Sequence, residues 1–274
     1  MKTAYCFNYH DVTDDPKTSG FQNPDAYIYT HSVNHFSSDL DLILNSLPRK
    51  VIRLSSLPQD GGLPEADPGL LLTFDDGGVS GIHIAAELEK RSLRGYFFMT
   101  TGMLGDPHFL SAEQLRQLDQ RGHIIGTHSH HHYSLFKALS YPDKLVEWKK
   151  SRKILEDILD HRVTTGSIPG GKMNTDTFRA AEEAGLKLLF TTEPTRKVRM
   201  YGSLAIVGRI CPKESTSKSF LKWSASAKTI FPITVMWQAK QIIKSFPKLN
   251  RKEEHKMELH ESRGNKSLRI QKII

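Results

Sequence analysis

Leu70-Leu71-Leu72-Thr73-Phe74-Asp75-Asp76-Gly77-Gly78 decides the fold: an apolar strand runs into two adjacent carboxylates and a glycine turn. Similar strand-like segments, rich in Val, Ile, Phe and Tyr, recur on both sides of it at Ala4–His10, Gly95–Thr101, His123–His128, Val163–Ile168, Lys187–Thr192 and Leu204–Ile210. Between them lie segments of helical period at Ser38–Ser46, Ser80–Ser92, Ala112–Arg121, Asp143–Asp160 and Thr175–Ala184. Ser111 with Gln114 forms a capping box, and Gly122 and Gly185 stand where helix C-caps are expected. Strand and helix alternating in this way predict parallel strands with helical crossovers, an α/β fold. Asp, Ser, Pro and Gly crowd Val12 to Gly69, which reads as an insertion holding one helix and one short strand, Val51–Leu54.

The chain has 274 residues, 38% hydrophobic and 25% charged, which is a globular composition able to build one large core. Cys6 and Cys211 are too few for a disulfide framework or a cysteine-rich zinc site. Polar residues Asn8, His10 and Asp11 interrupt any leader-like apolar region, and no later run reaches the roughly 18 residues of a spanning helix. Neither a signal peptide nor a transmembrane segment is expected, and the expected location is the cytoplasm. Residues 213–274 hold 14 Lys+Arg against 5 Asp+Glu, so the net charge of +8 resides in the tail and the first 212 residues carry −1. That balance argues against a nucleic-acid-binding body. The expected division is a catalytic domain over 1–212 and a basic, helical extension over 213–274, polar at its end between Arg263 and Lys272.

Catalytic groups in α/β folds gather at strand C-termini. Asp75 and Asp76 stand at one, and adjacent carboxylates repel unless a cation or proton separates them, which suggests that one holds a metal and the other is a base. A second strand ends in His128-Ser129-His130-His131-His132, and imidazole with carboxylate suits zinc or a similar divalent ion. A third ends in Ser167-Ile168-Pro169-Gly170-Gly171, whose bare glycines let a ligand approach backbone N–H groups.

Thr73-Phe74-Asp75-Asp76 followed by His128-Ser129-x-x-His132 resembles the first two motifs of the NodB-type polysaccharide deacetylases, the fourth carbohydrate esterase family. The likeness spans Ala4 to Pro212. It implies a distorted (β/α) barrel of about seven parallel strands and metal-dependent removal of acetyl groups, N-acetyl foremost, from a sugar in a polysaccharide or lipid-linked glycan. It implies Asp75 as general base, Asp76, His128 and His132 as ligands of a divalent metal, Zn2+ foremost, and the Gly170 N–H beside the oxyanion. Ser167 stands where the family has an Arg that orients the base, and neither the later Trp motif nor a Leu-x-His supplies the acid. Tyr9-His10-Asp11-Val12 resembles the Tyr-His motif of one branch of the family, which makes His10 the candidate acid, and Arg209 at the last strand end is the candidate for the missing Arg. His31, His35, His83, His108 and His161 read as surface or capping residues, and Thr191-Thr192-Glu193-Pro194 as a turn at the cleft rim.

Two competing readings share these residues: a metal amidase of the same fold acting on a non-sugar C–N bond, and a non-catalytic glycan-binding relative. No Gly-x-Ser-x-Gly nucleophile motif is present, as expected for chemistry without a covalent intermediate. In the tail, Ile230, Phe231, Ile233, Val235, Met236, Trp237, Ile242, Ile243 and Phe246 share a segment with Lys240, Lys244 and Lys248. Such a basic amphipathic helix can pack on the barrel or lie in an anionic membrane interface, which would give peripheral contact at the inner membrane face.

Overall fold

β1 (Ala4–Tyr9) and β2 (Gly69–Phe74) run parallel over their full length, with Ala4 opposite Gly69 and Tyr9 opposite Phe74. Every residue of both strands is buried, as befits parallel strands with helices on one face and a core on the other. The structure, a computed structural model, describes residues 2–244 except 57, 59, 60, 66, 228 and 229. After β1 come α1 (Pro24–Tyr27) and α2 (Val33–Ser46); after β2, α3 (Gly81–Glu89), β3 (Tyr96–Met99), α4 (Ala112–Gln120), β4 (Ile124–Thr127) and α5 (Tyr141–Leu159). The chain continues through β5 (Thr165–Ser167), α6 (Thr175–Glu183), β6 (Leu188–Thr191), β7 (Arg199–Tyr201), β8 (Leu204–Gly208), α7 (Lys218–Ser226) and α8 (Phe231–Lys244).

The strands form one curled sheet in the order β1-β2-β3-β4-β5-β6-β8-β7. Seven strands are parallel, as expected, and the eighth, β7, is an antiparallel edge paired with β8. The pattern did not predict β7 because Arg199-Met200-Tyr201 is short, largely exposed and lacks apolar periodicity. The sheet closes on itself just past β8: the Asn8 N–H donates to Ile210 O at 2.8 Å and the Ile210 N–H to Cys6 O at 2.9 Å. The result is a distorted (β/α) barrel.

Two expectations in the insertion are corrected. The strand expected over Val51–Leu54 is a single bridge, Ile52 to Gly69. β3 pairs only with Thr73 and Phe74 at the far end of β2, so Ile52 fills the exposed start of that edge without forming a strand of its own. The helix expected from Ser38 starts at Val33, where the Ser32 hydroxyl caps the His35 N–H. The capping box at Ser111 is present, and Gly122 and Gly185 take positive φ of 81° and 85°.

Strand periodicity also locates the site. Ala4 and Cys6, Tyr96 and Phe98, Leu188 and Phe190, and Ala205 and Val207 share one cluster with Leu71, each pair two residues apart on its strand and so on one face. Continuing along that face in the same steps leads from Cys6 to Asn8, from Leu71 to Thr73 and Asp75, and from Val207 to Arg209. The barrel interior therefore changes from apolar to polar toward the strand C-termini. A second cluster, around Trp148, Ile168, Ala181, Leu189 and Ile206, packs α5 and α6 on the outside.

The first compact unit extends to Ile230 and includes α7, which packs against α2; α8 begins the second unit. Phe246, Lys248 and the end between Arg263 and Lys272 lie outside the described residues.

Candidate metal centre and active site

Asp75 and Asp76 diverge at once. Asp75 follows the inward face of β2, and its N–H donates to Tyr9 O at 3.0 Å. Asp76 has φ of 76°, a left-handed conformation that Asp tolerates, and the backbone there swings its carboxylate away from its neighbour's.

Asp75 is buried in a polar net. Arg209 grips it bidentately, Nη1 to Oδ1 and Nη2 to Oδ2, both at 2.8 Å. Arg209 also donates to Ser167 Oγ at 2.8 Å, to Asn8 Oδ1 at 2.8 Å and to Thr73 Oγ1 at 3.1 Å. Asn8 Nδ2 and Ser167 Oγ each donate to Asp75 Oδ2 at 3.1 Å. Arg209 thus pairs with Asp75 from the end of the last strand, and Ser167 joins the pair. Burial alone would raise the Asp75 pKa, but the Arg209 charge, then His128, outweighs it and holds the carboxyl at about 2.

Asp76 faces the histidines. Its Oδ1 lies 3.4 Å from His128 Nε2 and 3.3 Å from His132 Nε2. All three ligand atoms are within 4.8 Å of one another. His128 Nδ1 donates to the Ser167 carbonyl at 2.9 Å, which leaves the Nε2 lone pair facing the carboxylate. Burial acts to raise the Asp76 pKa, but the His132 charge and the contacts with both imidazoles keep it well below the usual range. Asp76 Oδ1 is nonetheless buried without a hydrogen-bond partner. A buried anionic oxygen between two imidazole nitrogens fits a cation, and a two-nitrogen, one-oxygen donor set suits zinc. Among the described residues no other group of three such ligands converges. His130 instead contacts Thr101 Oγ1 at 3.0 Å, and His131 pairs with Glu147.

His10 follows β1 as Asp75 follows β2, so the two stand at neighbouring strand ends. Its Nδ1 is buried without a partner and its ring lies 4.8 Å from that of Tyr29. Gly170 has φ of 62°, and a Cβ there would come within 2.5 Å of Ser134 O, so only glycine fits. Among the described residues no backbone carbonyl takes its N–H. Phe21, from the insertion, stacks obliquely 4.9 Å from the His132 ring.

Sequence reasoning missed the support beneath the carboxylates. Asp11 is buried and accepts from Ser19 Oγ at 2.5 Å and Ser80 Oγ at 2.8 Å, tying the insertion to the turn after Asp76. Burial raises its pKa although both hydroxyls oppose the shift. Gly78 is needed there, because a Cβ would lie 2.0 Å from Asp11 Oδ1. Asn8 was also missed; a polar residue two positions beyond Cys6 on a fully buried strand was the available signal.

Residues 63–189 match the family model described as polysaccharide deacetylase. The Bacillus subtilis (strain 168) protein YxkH, provisionally named a polysaccharide deacetylase, is 31% identical over 138 residues, 50% of this chain and 49% of its own. The chain therefore spans about half the length of that curated relative. Among solved structures, IcaB from Ammonifex degensii superposes with a TM-score of 0.65 at 22% identity, covering 83% of this chain and 98% of its own. The Streptococcus pyogenes deacetylase PplD, solved in complex with acetate, gives 0.64 at 20% identity, covering 81% and 97%. These likenesses establish the NodB-type barrel fold.

Proposed function

We propose that the protein is a metal-dependent hydrolase that removes acetyl groups, N-acetyl foremost, from a sugar of a polysaccharide or lipid-linked glycan. The observation that carries this reading is the buried, donor-free Asp76 Oδ1 between His128 Nε2 and His132 Nε2, next to a carboxylate locked on an arginine. A divalent ion held by Asp76, His128 and His132 would polarise the acetyl carbonyl and acidify a water. Asp75 receives the water's proton on Oδ1: Oδ2 already accepts from Asn8, Ser167 and Arg209, whereas among the described residues Oδ1 accepts only from Arg209 Nη1. A carboxylate held at about 2 is ionised throughout the neutral range but is a weak base, so the water must be acidified for the transfer to proceed. The Gly170 N–H donates to the developing oxyanion, and His10 protonates the departing amine. Metal analysis combined with acetate release from N-acetylated sugar oligomers tests the reading. Metal-free protein with undiminished release, or metal-loaded protein with none, defeats it.

A second reading concerns α8. Val235 and Met236 are 44% and 57% exposed on this helix, which favours weak attachment to an anionic membrane. No helix among the described residues is long and apolar enough to cross a membrane. Co-sedimentation with anionic vesicles that falls with salt is expected, and protein remaining in the supernatant at low salt removes the idea.

A further inference from the structure

The histidine loop after β4 has an unusual backbone. Ser129 and His132 both lie in the left-handed region, with φ of 64° and 53°, although neither is glycine. Such residues persist only where their surroundings hold them. The reversal at Ser129 turns the next two N–H groups to one side, where a single atom receives both: Glu147 Oε2 accepts from His130 N and His131 N, each at 2.9 Å. Glu147 Oε1 lies 2.6 Å from His131 Nδ1. The carboxylate is only 5% exposed, and among the described residues no Lys or Arg pairs with it, so the loop itself supplies its compensation.

Glu147 does not act alone. One turn further along α5, Ser151 Oγ accepts from Thr127 Oγ1 at 2.6 Å, and Thr127 Oγ1 in turn accepts the Ser129 N–H at 3.0 Å. Residues four apart share a helix face. α5 therefore holds the loop at two points, one on each side of the Ser129 reversal. Trp148, fully buried against Phe136, fixes the helix that carries them.

We propose that Glu147 is a positioning residue for the metal centre: by gathering the His130 and His131 amides it holds the reversed loop in which His128 and His132 both reach Asp76. This inference rests on the metal-site reading above. Outer partners of metal ligands typically contribute 10- to 100-fold in affinity. Glu147→Gln keeps one acceptor oxygen but cannot serve both amides and the imidazole with full charge, so zinc affinity of the apoprotein, read by competition with a chromophoric chelator, should fall about 10-fold. Glu147→Ala should lose about 100-fold, and Glu147→Asp, which retracts the carboxylate, should not restore wild-type affinity. In the metal-free protein, hydrogen exchange at the His130 and His131 amides should accelerate at least about 10-fold in Glu147→Gln. Folded Gln and Asp variants with wild-type zinc affinity and wild-type exchange would overturn the assignment. Wild-type protein that binds no zinc would instead overturn the metal reading, and this inference with it, while wild-type binding lost in Asp76→Asn but unchanged at Glu147 would overturn this inference alone.

Discussion

Two adjacent aspartates have different partners here: one is neutralised by an arginine and the other is not. Asp75 already has Arg209, whereas Asp76 faces only the Nε2 atoms of His128 and His132 among the described residues. Asp75→Asn should therefore retain zinc while activity falls by orders of magnitude, and Asp76→Asn should lose zinc itself; equilibrium dialysis beside acetate release separates them. Arg209→Met would leave Asp75 buried and uncompensated, with an expected cost of about 3–5 kcal/mol in urea unfolding. Combining it with Asp75→Asn should recover part of that loss, and strict additivity would count against direct coupling. The acid pair and the histidines were legible in the sequence because strand ends announce themselves by an apolar run that stops. Arg209 was legible only through the vacancy at Ser167. Asn8 carried a signal in its polar place on a buried strand, whereas the partners of Asp11, in the loop after β1, and of Glu147, inside α5, were not legible, because they are met across the fold and leave no local mark.

The elements that carry these residues were readable wherever burial imposed a period, and faded where it did not. The seven parallel strands and five crossover helices follow the apolar pattern, while Arg199–Tyr201 and the single bridge at Ile52 have little burial to impose one. Two buried histidines link the elements to pH. His31, next to Tyr9 and facing Glu214, Asp39, His35 and His10, and His123, at the start of β4 against Glu89, are each pushed by burial down to about 4, despite carboxylates that pull the other way. In the unfolded chain both would take a proton near 6.5. Between those values the unfolded chain binds protons that the folded one refuses, so stability is full above pH 6.5 and falls as the pH drops toward 4, by up to about 3 kcal/mol per histidine. Urea midpoints measured at pH 7, 6 and 5 should decline together; a flat profile would mean that these rings find partners in the folded state.

At the scale of the whole molecule, the segment that follows the last strand belongs with the barrel as far as Ile230. Lys218 on α7 reaches Asp39 on α2 at 2.5 Å, His35 reaches Glu214 at 2.8 Å, and Asp39 also accepts from Tyr9 at 3.3 Å. The pattern of charge and lost strand signal pointed to a boundary at Pro212, but packing has no counterpart in composition, and the first compact unit continues to Ile230. A chain ended after Ile230 should unfold cooperatively with activity intact, whereas one ended after Pro212 should lose α7 and unfold at markedly lower temperature; calorimetry of the two distinguishes these outcomes. The clasp of Asp75 by Arg209 has a consequence in time. The two residues are 134 positions apart, and they meet only when the strand order has come full circle. On the ribosome, a nascent chain already displaying both acids and all the loop histidines would still lack the cation that fixes Asp75 in place and compensates its charge once it is buried. The Asp75–Arg209 pair arrives only with the last strand, so a prematurely terminated product would carry the acids and histidines without the arrangement that the proposed chemistry requires.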